Sequence, residues 1–312
     1  MDALLEALRA AAEPTRLRLL TVCAHGELTV TELTQILGQS QPRISRHLKL
    51  LCEAGLLQRH REGTSALFRV ADHGASAGLA RILVDLVPVE DATLARDLER
   101  LEAVKAARAE AAQAYFRANA AQWDSIRSLH VPEAEVEQAL LDLLGGRAFS
   151  ELLDIGTGTE RMLELFAGRI RHGIGIDLNR EMLAVARANL ERCQLRNCQV
   201  RLGDMYHLPF PPKSFDAVTV HQVLHFAEEP AAAISEAARV LKPDGALALV
   251  DFLPHDLEYL REEHAHRRLG FAPDEVARWC RSAGLEVEDE RVLAGNPLSV
   301  GVWRARPVGG AA

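Results

Sequence analysis

Apolar positions recur at a helical period through the first third of the chain. Beyond residue 145 they gather into short runs that alternate with helical stretches, so the architecture changes along the sequence. Leu4, Leu8, Leu17, Leu19 and Leu20 mark two short helices parted at Glu13-Pro14, the proline opening the second. Thr29-Val30-Thr31-Glu32 has the spacing of a capping box, in which a hydroxyl and a carboxylate satisfy each other's free amides. It predicts a helix through Leu33, Ile36 and Leu37 that ends at Gly38. Ser40 is placed to cap the next helix, with Pro42 in its first turn and Ile44, Leu48 and Leu51 as its buried stripe. Two runs, 56–61 and 64–70, flank Glu62-Gly63 as a hairpin.

Residues 90–121 hold no Gly or Pro, and Leu94, Leu98, Leu101 and Val104 fall at helical spacing, which predicts one long helix or two in series. Such a helix serves either as a linker packed on a partner subunit or as plain amphipathic packing. Past Gly145-Gly146, strands are expected at 152–155, 173–176, 199–202, 215–220 and 246–252, with helices at 161–166 and 182–190 between them. That alternation implies a parallel sheet covered on both faces, with ligands at the carboxyl ends of its strands.

A chain of 312 residues accommodates two domains, and 48% hydrophobic with 26% charged residues describes a globular protein. No apolar run approaches the roughly 20 residues of a membrane span, and the first residues lack the apolar core of a secretory signal, so a cytoplasmic location without membrane contact is expected. Net charge is −8, but residues 1–70 carry nine Lys/Arg against seven Asp/Glu and the remainder 27 against 37. A mildly basic reader on an acidic body fits this asymmetry. Five scattered cysteines argue for reduced thiols rather than a disulfide framework.

With Ile44, Leu48 and Leu51 turned inward, Ser40, Gln41, Arg43, Ser45, Arg46, His47 and Lys49 remain for base edges and phosphates, from a helix suited to the major groove. Arg59, Arg61 and Arg69 on the hairpin are placed for backbone phosphates. EPTRLRLL, ELTVTELTQILGQSQPRISRHLKLLCEAGLL and REGTSALFRV, over about residues 5–72, resemble the ArsR/SmtB winged-helix repressors. The resemblance implies a homodimer setting two recognition helices on palindromic double-stranded operator DNA. Metal-sensing members carry Cys-Val-Cys where this chain has Thr29-Val30-Thr31, and Asp72-His73 and Asp85 do not make the other common site. No metal is expected, and Cys23 and Cys52 are expected to be buried small hydrophobes.

In the second half, Asp154-Ile155-Gly156-Thr157-Gly158-Thr159-Glu160 follows a strand and enters a helix, and Asp177 ends the next strand 21 residues after Gly156, where an acid can accept ribose hydroxyls. A dinucleotide fingerprint would need glycine at position 161, which is Arg161. Together with Gly203-Asp204-Met205, Phe215-Asp216-Ala217-Val218 and the 239–246 run RVLKPDGA, these residues resemble class I S-adenosylmethionine-dependent methyltransferases over about residues 115–306. The resemblance implies a Rossmann-like fold with a seven-stranded, mostly parallel sheet, closed by an antiparallel hairpin at 285–293 and 298–306. It also implies an S-adenosylmethionine or S-adenosylhomocysteine site. In that site Asp154 orders the loop, Gly156 and Gly158 approach the methionine moiety, Asp177 and Leu178 hold the nucleoside, and Asp204 with Met205 frames the adenine. Tyr115, Trp123 and Arg127 precede the sheet where they can line the ligand, or serve as core aromatics and a solvated arginine.

The expected organisation is therefore an α/β multidomain chain: a winged helix-turn-helix at 1–86, a helical linker at 87–121 and a methyltransferase domain at 122–312. Glu160 stands where the family has a third glycine; it either repels the methionine carboxylate or lies in the first helical turn facing solvent. His221, also expected beside the cofactor, and His225 follow the fourth strand, where either can deprotonate an acceptor or serve as a structural histidine. His255, His264 and His266 with Glu262 and Glu263 are irregularly spaced, and solvation is the expectation for them. Three functions remain open: a regulator fused to a working methyltransferase on a small-molecule acceptor, a non-catalytic sensor of the cofactor for which family association points to methionine metabolism, and an enzyme dimerised by its helix-turn-helix.

Overall fold

A computed structural model describes residues 1–26, 28–62, 65–71, 76–88, 90–119, 133–145 and 148–309. They form two units, Met1–Ala111 and Ala112–Ala312.

The first unit is α1 (Asp2–Ala11), α2 (Pro14–Cys23), β1 (Leu28–Thr29), α3 (Val30–Leu37), α4 (Gln41–Glu53), the hairpin β2 (Leu57–Glu62) and β3 (Ser65–Val70), α5 (Ala77–Asp85), and the start of α6 (Ala92–Asn119). The capping box forms: Thr29 Oγ1 accepts from the Glu32 amide and Glu32 Oε2 accepts from the Thr29 amide. Ser40 takes the N-cap position of α4 without a side-chain bond, so proline in the first turn, not a hydroxyl cap, defines that start. Strand β1 was not foreseen; two residues suffice because Leu28 and Thr29 pair antiparallel with Phe68 and Leu67. Leu19, Leu33, Ile36, Ile44, Leu48, Leu51 and Leu56 form the core, each fully buried side chain worth roughly 1.5–3 kcal/mol.

The turn between α3 and α4 is held from two other helices. Gly38 closes α3 in the left-handed conformation at φ 65°, which a glycine adopts at little cost. Arg18 of α2 donates from Nε and Nη2 to both oxygens of Asp97 on α6, at 2.5 and 2.7 Å, and Nη2 also reaches the Leu37 carbonyl at 3.1 Å. Arg100 of α6 donates to the Ile36 carbonyl at 3.1 Å. Two guanidiniums thus satisfy carbonyls that the end of α3 leaves free, where its dipole favours positive charge. Leu101 and Val104 extend the same face of α6 into the core. Helix α6 is continuous from Ala92 to Asn119, and its first half packs into the core of the N-terminal unit.

The second unit contains the end of α6, α7 (Glu133–Leu143), β4 (Phe149–Ile155), α8 (Arg161–Phe166), β5 (Ile170–Asp177), α9 (Arg180–Arg192), β6 (Cys198–Leu202), β7 (Phe215–His221), α10 (Pro230–Val240), β8 (Leu241–Phe252), α11 (Tyr259–His264), α12 (Pro273–Ser282), β9 (Leu285–Leu293) and β10 (Val300–Pro307). The sheet order is β6-β5-β4-β7-β8-β10-β9, parallel from β6 to β8, with β10 antiparallel to both of its neighbours. Two apolar clusters, one around Leu152, Phe166 and Val302 and one around Leu153, Val218 and Trp303, take alternate residues of the same strands and so cover the two faces. Strand β8 starts five residues before the expected Ala246, because Leu241 pairs with Phe215 across an irregularity in register. Among the described residues, no helix is long and apolar enough to cross a membrane.

Asp97→Ala would leave the Arg18 guanidinium beside α3 without its buried partner, at a cost of about 3 kcal/mol. Calorimetric melting is expected to show a lowered transition for the N-terminal unit with the C-terminal transition unmoved; an unchanged N-terminal transition would contradict this role.

Candidate cofactor site and DNA-contact face

The four parallel strands β4, β5, β6 and β7 end on the same edge of the sheet, and the loops that leave them carry nearly all the expected cofactor residues. The loop after β4 is fixed on one side by β5. The Thr157 amide donates to the Ile176 carbonyl at 2.8 Å, and the Gly158 amide to Asp177 Oδ2 at 3.0 Å. Asp177 Oδ1 accepts from the Asn179 amide at 2.8 Å, and Asn179 in turn caps α9 through the Met182 amide. On the other side, Gly156 at φ 69° lies against Val223, where an added Cβ would come within 2.4 Å of Cγ2. The loop is thus wedged between the ends of β5 and β7.

Burial dominates the electrostatics of Asp177 and raises its pKa, partly offset by the amides of Asn179, Gly158 and Leu178. Each carboxylate oxygen takes one of the amide bonds described, so acceptor capacity remains for two hydroxyls. Beside it Leu178 is 55% exposed, a large apolar side chain on the surface. Asp204 spends one oxygen on the Tyr206 amide at 2.9 Å and has the other 3.4 Å from His207 Nδ1, while Met205 is half-buried. Asp154 is fully buried and accepts from Thr219 Oγ1 at 2.7 Å, joining β4 to β7 beneath the loop. The side chain of Tyr115, and all of Trp123 and Arg127, lie outside the described residues.

Glu160 does not face solvent. It is the N-cap of α8 at φ 83°, and its side chain is 2% exposed, so it is not a solvent-facing residue of the first turn. Its charge is felt by Cys198, whose thiol is pushed up to about 11 by burial first and Glu160 second, and more weakly by Cys193. These cysteines begin β6 and follow α9. The usual third glycine is replaced in conformation, at the strain of a non-glycine residue with positive φ.

His221 closes β7 and is buried, its backbone paired opposite Val250. His225 lies in the single 3-10 turn Leu224–Phe226, with its Nδ1 2.7 Å from Asp251 Oδ1 at the end of β8. His266 corrects the expectation of a solvated histidine: it is buried, with its ring centroid 4.2 Å from that of His225. Among the described residues no group of three or more His, Cys, Asp or Glu side chains is placed to hold a metal. Asp251 is not legible in the sequence because a lone acid in an apolar strand carries no spacing pattern; its place at a strand's carboxyl end is the one local signal.

In the first unit Ser40, Gln41, Arg43, Ser45, Arg46 and Lys49 are exposed on α4, and Arg59 is exposed on β2. His47 is the exception: it is half-buried with Nδ1 3.7 Å from Glu13 Oε2, because its helical position turns it toward the start of α2. The backbone of Arg61 is in β2 and its side chain lies outside the described residues. Cys23 sits in the core, and burial pushes its thiol well above the usual range.

The order and direction of these strands, with glycine loop and terminal acid on adjacent strands, define a class I methyltransferase fold. Family comparisons agree: the methyltransferase domain family matches residues 153–249, and the arsR family of bacterial regulatory proteins matches residues 13–59. YcgJ, an uncharacterised methyltransferase of Bacillus subtilis, is 36% identical over 111 residues, 35% of this chain and 44% of that protein. A demethylmenaquinone methyltransferase of Tropheryma whipplei is 35% identical over 141 residues, 45% of this chain and 55% of its own length. The chain thus spans about half the length of these relatives. A ubiquinone biosynthesis O-methyltransferase of Pseudomonas aeruginosa is 30% identical over 173 residues, 51% of this chain and 74% of that protein. Among solved structures, a Haloferax volcanii chain in complex with the Trm112 methyltransferase activator superposes with a TM-score of 0.52 at 22% identity, covering 61% of this chain and 97% of that one. That likeness is one of fold. The chain belongs to the class I methyltransferases, and it carries an arsR-family helix-turn-helix domain ahead of the methyltransferase fold.

Proposed function

We propose that this chain is a DNA-binding regulator whose second unit binds S-adenosylmethionine and methylates a small-molecule acceptor. The observation that carries the cofactor reading is the half-buried carboxylate of Asp177, which pins the Gly158 amide and stands beside exposed Leu178. A nucleoside suits that pair: two hydroxyls for the remaining acceptor sites and a flat, largely apolar base for the leucine. Gly156, Gly158, Asp204, Met205 and His221 surround the same carboxyl-end edge, and Asp154 supports the loop from below. When bound, the cofactor supplies a methyl group already activated by a sulfonium, so the chain's task is to align an acceptor and exclude water.

For the first unit the reading is a homodimer on palindromic duplex DNA, with α4 in the major groove and β2–β3 as a wing. Exposed Leu4, Leu5 and Leu8 on α1, with Ile82 of α5 and Leu86 just after it, supply apolar surface for such a dimer. A sensor role is the second reading, and α6 favours it. That unbroken helix carries Asp97 and Arg100, which hold the α3 end, and also Phe116, whose ring packs edge-on against Phe226 at 4.7 Å beside His225. A ligand that prefers one state of the second unit would then shift DNA affinity by its difference in affinity between the two states.

Calorimetry with S-adenosylhomocysteine tests the cofactor site. Asp177→Ala is expected to weaken binding ten- to a hundredfold. Because burial raises the Asp177 pKa, acidification protonates it sooner than an ordinary aspartate, so wild-type affinity should begin falling above the ordinary aspartate range of about pH 4. Equal binding by both proteins would remove the cofactor reading. Replacing Arg46 and Lys49 by alanine is expected to weaken binding to a mixed-sequence duplex and to lower its salt slope by about 2, roughly 0.9 per lost phosphate contact. An unchanged slope would turn the first unit into a dimerisation module alone. For the sensor reading, affinity for a sequence selected from a random duplex library should change at saturating S-adenosylhomocysteine, and an unchanged affinity rejects it.

A further inference from the structure

We propose that Asp251 and His225 form a proton-accepting dyad for a hydroxyl group on an aromatic acceptor, with His225 as the base and Asp251 as its positioning residue. The proposal rests on the methyl-transfer reading above. The two residues come from the adjacent parallel strands β7 and β8: His225 from the turn after the first, Asp251 from the end of the second. Both are therefore at the carboxyl-end edge that carries the glycine loop, and both side chains are almost wholly buried, 3% and 1% exposed.

Asp251 is used completely in orienting the turn. Its Oδ1 lies 2.7 Å from His225 Nδ1 and accepts from the Phe252 amide at 2.8 Å, while Oδ2 accepts from the His225 amide at 3.2 Å. The His225 carbonyl accepts from the amides of Arg267 and Arg268, at 2.8 and 3.1 Å, so the turn is held from its other side as well. Rings of Phe226, His266 and Phe252 stand 4.0, 4.2 and 5.0 Å from the imidazole and prevent it from rotating. A carboxylate already facing two backbone donors accepts but does not donate, so Nδ1 carries the ring hydrogen and Nε2 presents a bare lone pair. No hydrogen bond to Nε2 occurs among the described residues. Most buried side-chain polar atoms are hydrogen-bonded; here one ring nitrogen is fixed and the other is left as an acceptor.

That arrangement discriminates between acceptors. Thiolates, amines and activated carbons attack a sulfonium methyl without help, whereas a hydroxyl is a poor nucleophile that gains about 10² to 10⁴ in rate from a positioned base. As the hydroxyl oxygen bonds to the methyl carbon, its proton passes to His225 Nε2, and the breaking sulfur–carbon bond leaves its electron pair on a neutral thioether. The imidazolium so formed is stabilised by Asp251 and returns its proton to water. The surroundings choose the rest of the acceptor. Phe226 is half-buried, packs edge-on against half-buried Phe116, and borders the His225 ring, which offers a flat aromatic wall to a phenolic ring.

The test uses the full-length chain with catechol as acceptor. Nitrogen-15 NMR of the histidine rings, without cofactor and above pH 8, is expected to find His225 protonated on Nδ1 and bare on Nε2, a preference lost in Asp251→Asn. A wild-type ring protonated on Nε2 would overturn the dyad, and that readout needs no variant to fold. With S-adenosylmethionine, Asp251→Asn and His225→Gln should each lower kcat for methylated catechol about 10² to 10⁴-fold. The KM for catechol and the calorimetric affinity for S-adenosylhomocysteine should stay within threefold. A wild-type kcat in Asp251→Asn would overturn the positioning role. Cofactor binding without any methylation of catechol would overturn the aromatic hydroxyl assignment alone, whereas absence of cofactor binding would overturn the methyl-transfer reading beneath it.

Discussion

Everything at the ligand edge depends on how one carboxylate, Asp177, completes the end of a parallel strand. Parallel strands stop with peptide groups that the next loop must satisfy, and the loop after β4 does so by donating from Thr157 to β5 and from Gly158 to Asp177. Hydrogen bonds to a charged group contribute about 1.5–3 kcal/mol each, enough to hold a strained loop in which Gly156 and Glu160 both have positive φ. The same carboxylate, through Asn179, sets the start of α9. Loop, helix start and the proposed ligand acceptor are therefore one construction, and burial of its charge is the cost of keeping that carboxylate in place.

The N-terminal unit solves a similar problem with opposite charge. The end of α3 leaves carbonyls free just before α4, and Arg18 and Arg100 occupy them. Because Asp97 and Arg100 belong to α6, the helix-turn-helix is built on a helix that continues into the second unit's sequence.

Periodic features were legible in the sequence. The capping box at Thr29, the stripe of Ile44, Leu48 and Leu51, and the positions of the strand ends carrying Asp177 and His221 follow from local spacing alone, which repeats every few residues. Features made by two distant segments were not: Asp97 with Arg18, Thr219 with Asp154, Val223 against Gly156 and Asp251 with His225 each join residues that no local period connects. Short pairings such as β1 exist only through their partner strand. Glu160 shows the limit in another way: its residue type signals a departure from a glycine, but the direction of a buried side chain is decided by packing around α9 and β6.

The loop held by Asp177 is the proposed seat of an adenosyl ligand. Hydrogen exchange of the full-length chain, with and without saturating S-adenosylhomocysteine, measures this most directly. Slowed exchange is expected at 156–160, 177–179 and 203–206. Protection absent from all three segments while the ligand is bound would place the nucleoside elsewhere and contradict it.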